Sequence, residues 1–227
     1  MDFNTFLFRL SNAPVKVIAP SVDFSDYVSI DLSTDNKTLK NIDANCSNSW
    51  IVYINQYLQD RKKSIAFGGY LEPRSIYNRS NYFNSKSASE ARNIHLGIDL
   101  WCAAETPVLA AFDGVVHSFK NNTNHGDYGP TIILKHYIDN VEFYKLYGHL
   151  SKSSIKTLCK NTQVAKEQVI GCLGDSEVNG DYAPHLHFQI IKDIEGFEGD
   201  YPGVSSQNNL AYYSDNCPDP NLILKLY

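Results

Sequence analysis

The 227-residue sequence predicts a mainly β protein, an antiparallel β-sheet core preceded by an N-terminal α+β extension. Three observations point there. The chain carries 15 Tyr and 11 Phe against one Met, a composition that suits strands better than a helical bundle. From about residue 94 onward, short β-branched and aromatic runs alternate with turn signals. Within that region Thr131-Ile-Ile-Leu-Lys-His-Tyr137 and Val141-Glu-Phe-Tyr-Lys-Leu-Tyr147 flank Ile138-Asp-Asn140, the pattern of an antiparallel hairpin.

Residues 1–70 read as the extension and residues 71–227 as the main domain. Pro14 to Ile30 is irregular and extended, with Val15, Val17, Val28 and Ile30 as candidate strand residues. Ser47-Asn-Ser-Trp50 opens the clearest helix. Trp50, Ile51, Ile54, Tyr57 and Leu58 form an apolar stripe at helical spacing, and Asp60-Arg-Lys-Lys63 closes it on charge. Asn78 to Asn93 is rich in Ser and Asn and reads as an exposed loop. Pro107-Val-Leu-Ala-Ala-Phe112 then runs through the Asp113-Gly114 turn into Val115-Val116. Gln168-Val-Ile-Gly-Cys-Leu-Gly174 and His185 to Ile191 are the last strands. The tail around Asn216-Cys-Pro-Asp-Pro220 is turn-rich and is expected to wrap the surface.

Charge and cysteine usage narrow the partners. The net charge is −5, and Arg61-Lys-Lys63 is the longest basic run, so nucleic acid is not expected as a partner. No stretch approaches the roughly 20 apolar residues that a membrane span needs. Phe6-Leu-Phe8 is broken by Arg9 before a secretory h-region forms. With five cysteines lacking pairing motifs, the expectation is a cytoplasmic chain with reduced thiols, the alternative being export behind a leader preceding this sequence.

Three short motifs carry chemistry: His95-Leu-Gly-Ile-Asp99, Tyr147-Gly-His149-Leu150 and His185-Leu-His187. Alone, each is an ordinary surface pattern. In a strand from His185 to Ile191, side chains alternate, so Leu186, Phe188 and Ile190 face the core while His185, His187 and Gln189 share the other face. Gly97 removes bulk between His95 and Asp99. A catalytic zinc takes three protein ligands and keeps one position for water. His95, Asp99 and one of His185/His187 meet that count. His149 and the other histidine are then left for proton transfer and oxyanion stabilisation. There is no His-Glu-x-x-His helix to supply a Glu base. The remaining histidines, His117, His125 and His136, read as structural or solvated, with His136 the best candidate of the three for supporting the site from behind. Cys102 reads as a small buried hydrophobe.

This ordered set resembles the LytM/lysostaphin-type zinc metallopeptidases, a DD-metalloendopeptidase family. Thr106-Pro-Val-Leu-Ala110, Asp113-Gly-Val-Val116, Asp127-Tyr-Gly129 and Gln168-Val-Ile-Gly171 add to the resemblance, which covers roughly residues 90–195. It implies an all-β core with the metal in a long groove (a duplicated hybrid motif, barrel-sandwich-like). It also implies Zn²⁺ held by His95, Asp99 and His187, with His149 and His185 as the catalytic histidines. The implied activity is hydrolysis of a peptide bond, in a peptidoglycan cross-link or a Gly-rich peptide, so the expected partner is a peptide or muropeptide substrate.

Two departures bear on substrate. The family carries Gly where Glu105 stands, and a short Gly-rich turn where this chain has the longer, acidic Gly174–Pro184. Aromatic and acidic groove edges do not suit a strongly anionic polymer. The flanks Gly68-Gly-Tyr-Leu-Glu-Pro-Arg-Ser-Ile-Tyr77 and Cys217-Pro-Asp-Pro-Asn-Leu-Ile-Leu224 resemble segments around such a domain in multidomain class-III aminotransferase proteins. In that setting Tyr70, Arg74 and Tyr77 are candidates to line the groove, or else to brace the extension. Two other functions stay open at this point: hydrolysis of a small amide or peptide inside the cell, and a non-catalytic metal-binding module that works through protein contacts.

Overall fold

A computed structural model of the chain describes residues 1–80, 83, 87 and 89–227. Among them the strands are β1 (Tyr27–Ser29), β2 (Ile65–Gly68), β3 (Ile94–His95), β4 (Ile98–Trp101), β5 (Pro107–Leu109), β6 (Gly114–Asn122), β7 (Gly129–Ile138), β8 (Val141–Gly148), β9 (Gln163–Val164), β10 (Val169–Cys172), β11 (His185–Ile191) and β12 (Val204–Ser205). The helices are α1 (Phe3–Arg9), α2 (Ser47–Arg61), α3 (Lys152–Lys156), α4 (Leu210–Asn216) and α5 (Asn221–Leu224). No helix among the described residues is long and apolar enough to cross a membrane.

The mainly β, antiparallel expectation holds. Eight strands form one sheet in the order β1-β2-β4-β11-β8-β7-β6-β9. Every pairing in it is antiparallel except β1 with β2. The β7–β8 hairpin forms as read, closing at Ile138↔Val141 through Asp139 and Asn140, both at positive φ. Such φ values are tolerated best by Asn, Asp and Gly. Residues 1–70 contribute β1 and β2, so the extension continues the same sheet beyond β4.

β11 sits at the centre, between β4 and β8, and all seven of its residues are buried. Leu186, Phe188 and Ile190 enter the main core beside Ile98, Leu100 and Tyr147, as the alternation predicts. Burying side chains of this size stabilises by roughly 1.5–3 kcal/mol each, which anchors the opposite, histidine-bearing face. The helix over 47–61 also forms as read. It buries Trp50, Ile54 and Leu58 on one stripe and ends at Lys62 in the left-handed conformation.

Some local readings differ. The C-terminal tail does not wrap the surface. Cys217, Ile223 and Leu224 are essentially inaccessible, and the Val15 amide donates to the Ile223 carbonyl. Pro218 and Pro220 punctuate this segment, but the apolar Leu222-Ile-Leu224 behind them belongs to the core. The Phe-rich N-terminus forms α1, whose Phe3 and Phe6 pack against Phe143. The loop expected from Asn78 to Asn93 lies partly outside the described residues. Glu105 takes φ +62°, in the left-handed region where Gly carries no Cβ penalty.

Candidate metal centre and active site

Strand register brings the sequence motifs together. Asp99 on β4 and Gly148 on β8 both pair with His187 on β11, one from each side. Directly opposed residues project side chains to the same face of a sheet, so Asp99 and His187 meet. His95 lies on β3, which pairs separately with β12. The chain turns between β3 and β4 at Leu96-Gly97. A Cβ at Gly97 would stand 2.7 Å from His187 Cε1 and 2.8 Å from the Phe188 carbonyl oxygen, so only glycine lets this turn pass over β11.

The result is a triangle. His95 Nε2 lies 2.8 Å from His187 Nδ1, and each lies 3.1 Å from Asp99 Oδ1. All three residues are buried, and together they form a group able to hold a metal ion. The outer nitrogens settle the tautomers. His95 Nδ1–H donates to the Gly69 carbonyl at 2.9 Å, and His187 Nε2–H donates to Gln189 Oε1 at 2.9 Å. In the neutral rings both inward nitrogens then carry lone pairs and face a carboxylate oxygen. Three acceptors with no proton between them are satisfied by a cation. The spacing is close to the roughly 3.3 Å between ligand atoms of a tetrahedral zinc with bonds of 2.0–2.1 Å.

Arg74 completes the support. Its Nη1 donates to Asp99 Oδ2 and its Nε to Glu72 Oε2, and the side chain is almost wholly buried. Asp99 thus presents a single oxygen to the triangle. Burial alone would raise the Asp99 carboxyl, but His95 and Arg74 outweigh it and hold the group well below the usual carboxylate range. Burial pushes the His95 imidazole down to about 4 against the opposing pull of Asp99.

His149 and His185 stand beside this triangle, with ring centroids 4.1 Å apart. Each donates Nδ1–H to a backbone carbonyl at 2.7 Å, His149 to Asn179 and His185 to Ala183. Their Nε2 atoms are left as acceptors. His185 Nε2 lies 3.8 Å from Asp99 Oδ1. His149 follows Gly148 and takes φ +62°. Burial first, then His185 and His187, lower the His149 imidazole well below its ordinary value. Burial also lowers His185, with Asp99 opposing. All five residues singled out in the sequence line one cavity of about 240 Å³, together with Tyr128, Tyr182 and Arg74.

The sequence missed parts of the surround. Gln189 shares the histidine face by strand alternation, which was the available signal for its role. The acidic turn does border the cavity, and Asn179, with its side chain bonded to both the amide and the carbonyl of Tyr182, fixes the carbonyl that orients His149. Of the groove candidates, Arg74 and Tyr77 line the cavity, whereas Tyr70 donates to the Cys217 carbonyl in the core. His136 does not support the site. It pairs with Phe143, near the turn of the β7–β8 hairpin, while His149 follows the far end of β8; its Nδ1 meets the Asp113 carbonyl at 2.8 Å. Cys102 packs against the main core with its thiol raised to about 11 by burial, and all five cysteines are unpaired.

A sheet with this buried His/Asp centre has clear relatives. Residues 93–199, just under half of the chain, match the family model described as Peptidase family M23. The resemblance carried by the three motifs is borne out over this segment. The chain is 31% identical over 116 residues to the peptidoglycan DD-endopeptidase ShyA of Vibrio cholerae serotype O1, covering 49% of this chain and 24% of that protein. It is 35% identical over 98 residues to the peptidoglycan DD-endopeptidase ShyC of the same organism, covering 43% of this chain and 20% of that protein. The chain thus spans about a quarter or less of the curated relatives it matches. Among solved structures, the catalytic domain of lysostaphin from Staphylococcus simulans shares 25% identity, covering 54% of this chain and 80% of that domain with a TM-score of 0.38.

Proposed function

We propose that the chain is a zinc-dependent metallopeptidase that hydrolyses a peptide bond, with His95, Asp99 and His187 as metal ligands and His149 and His185 as the catalytic pair. The observation that carries this reading is the triangle of lone pairs, with each outer nitrogen committed to a backbone or side-chain acceptor. Zinc bound there would polarise the scissile carbonyl and acidify a water. His149 Nε2, an acceptor held by the Asn179 carbonyl, takes the proton of the attacking water. His185 Nε2 lies 3.8 Å from Asp99 Oδ1; once protonated at Nε2 by the proton that enters the site, His185 is placed to donate to the developing oxyanion. Arg74 keeps Asp99 from turning its second oxygen inward. The similarity to two peptidoglycan DD-endopeptidases supports a peptide or muropeptide substrate.

The test is a mass-spectrometric screen of muropeptides and synthetic peptides on the metal-loaded chain, with and without a chelator. Cleavage lost with the chelator and restored by zinc is expected. A chain that binds zinc but turns over no peptide is instead a metal-binding module.

A further inference from the structure

The cavity extends away from the triangle along an apolar wall. Leu32, Trp50, Ile54, Ile76, Trp101 and Ala183 line it and belong to a single hydrophobic cluster. Four of the six, Leu32, Trp50, Ile54 and Ile76, precede residue 93 and so lie outside the M23-matched segment. The wall is joined to the candidate catalytic residues, because the Trp101 indole stacks on the His185 ring at 5.6 Å and 23°.

The polar groups on this wall are engaged except for Arg74 Nη2. Trp50 Nε1 donates to the Ala44 carbonyl. Arg74 gives Nε and Nη1 to Glu72 and Asp99, and its remaining nitrogen lies shielded against Gly69. Asp127 and Asp200 also line the cavity. Arg92 also lines the cavity and gives its Nε to the Val204 carbonyl; glycine would leave the apolar wall bare. The cavity, at about 240 Å³, exceeds the roughly 150 Å³ apolar cavity that accepts a benzene ring. It has room for a side chain beside the reacting amide.

We propose that this wall is a subsite for an apolar side chain of leucine to phenylalanine size, on a residue flanking the scissile bond, built by the extension. The inference rests on the peptidase reading above for the position of the scissile bond. Burying such a side chain against these residues gives a discrimination of about tenfold or more over glycine.

The test uses the zinc-loaded full chain and two readouts. In the first, kcat/KM is measured on a peptide series with Gly, Glu, Lys, Leu or Phe on either side of the cleaved bond. In the second, calorimetry compares binding of N-acetyl-leucine hydroxamate with N-acetyl-glycine hydroxamate, which needs no turnover. The expected result is a Leu or Phe advantage of at least about tenfold in both. That ratio should collapse in Ile76→Asp, at a partly exposed position, and in Ala183→Leu, which fills the space. Turnover of all peptides with equal efficiency overturns the subsite while leaving the peptidase reading intact. No turnover, but a leucine preference in hydroxamate binding that Ala183→Leu abolishes, supports the subsite and sinks the peptidase reading. Equal binding of the two hydroxamates with no turnover overturns both.

Discussion

Two groups of buried polar side chains lie on opposite faces of the same sheet, and they are built differently. On one face His95, Asp99, His187, His149 and His185 are buried, and every outward nitrogen and the second Asp99 oxygen has a partner. On the other face His136 and Lys145 project into the main core. His136 Nε2 and Lys145 Nζ have no hydrogen-bond partner, and Nζ sits 3.7 Å from the centre of the Phe112 ring. Burial drives both groups toward their neutral forms. A satisfied outer shell with unsatisfied inward acceptors is the arrangement of a site that awaits a cation. The orphaned Lys145 donor costs stability in the core, and the bare His136 Nε2 stands alone rather than converging with other acceptors. Burial of charge-bearing groups does not separate a site from a defect; the convergence of several bare acceptors on one point does.

That contrast is broken most severely at the ligands. Asp99→Ala should abolish stoichiometric zinc binding and remove the gain in Tm that zinc gives the wild type, because a ligand that binds only the native state stabilises it. Unchanged zinc by elemental analysis would remove Asp99 from the ligand set. His149→Ala should keep zinc but lower kcat/KM by about 10²–10⁴; activity within a few-fold of wild type would show that His149 moves no proton in the reaction. Gln189→Leu removes the partner of His187 Nε2 and should weaken zinc about 10–100-fold, read by competition with a chelator. Affinity equal to the wild type would mean that the tautomer is set elsewhere.

The smallest effect has the opposite sign and lies on the other face. Lys145→Met should stabilise the fold by roughly 1–3 kcal/mol, the cost of a buried unsatisfied donor. The Lys145 amine is lowered well below its ordinary value by burial. The unfolded chain therefore holds a proton that the folded chain does not, and wild-type stability rises with pH toward the unfolded value near 10.5. Lys145→Met should flatten that rise in denaturant titrations. His136 acts alike at lower pH: lowered in the fold, it costs stability as pH falls below the ordinary value of 6.5. A destabilised Lys145→Met would mean that Nζ has a favourable interaction after all.

Much of the site was readable from sequence because two short-range rules sufficed. Period-two alternation put His185, His187 and Gln189 on one face. The spacing in His95-Leu-Gly-Ile-Asp99 brackets a glycine that the structure needs for clearance over His187. What escaped depended on long-range register. Arg74 and Gly69 reach the site because β2 pairs with β4 and carries the following segment to Asp99, a contact that no local pattern encodes. His136 was drawn to the site by its place in the hairpin leading to His149, yet the hairpin register holds it at the far end. Proline and asparagine made the tail read as surface, while Ile223 and Leu224 in that tail are core.

The central claim is that three inward lone pairs, on His95 Nε2, His187 Nδ1 and Asp99 Oδ1, hold one zinc. X-ray absorption at the zinc edge on the loaded full chain, beside Asp99→Ala, tests it most directly. The account predicts one zinc per chain with two imidazole nitrogens and at least one oxygen near 2.0–2.1 Å, and no such site in the variant. A zinc coordinated by sulfur, or the same spectrum from the variant, would contradict it.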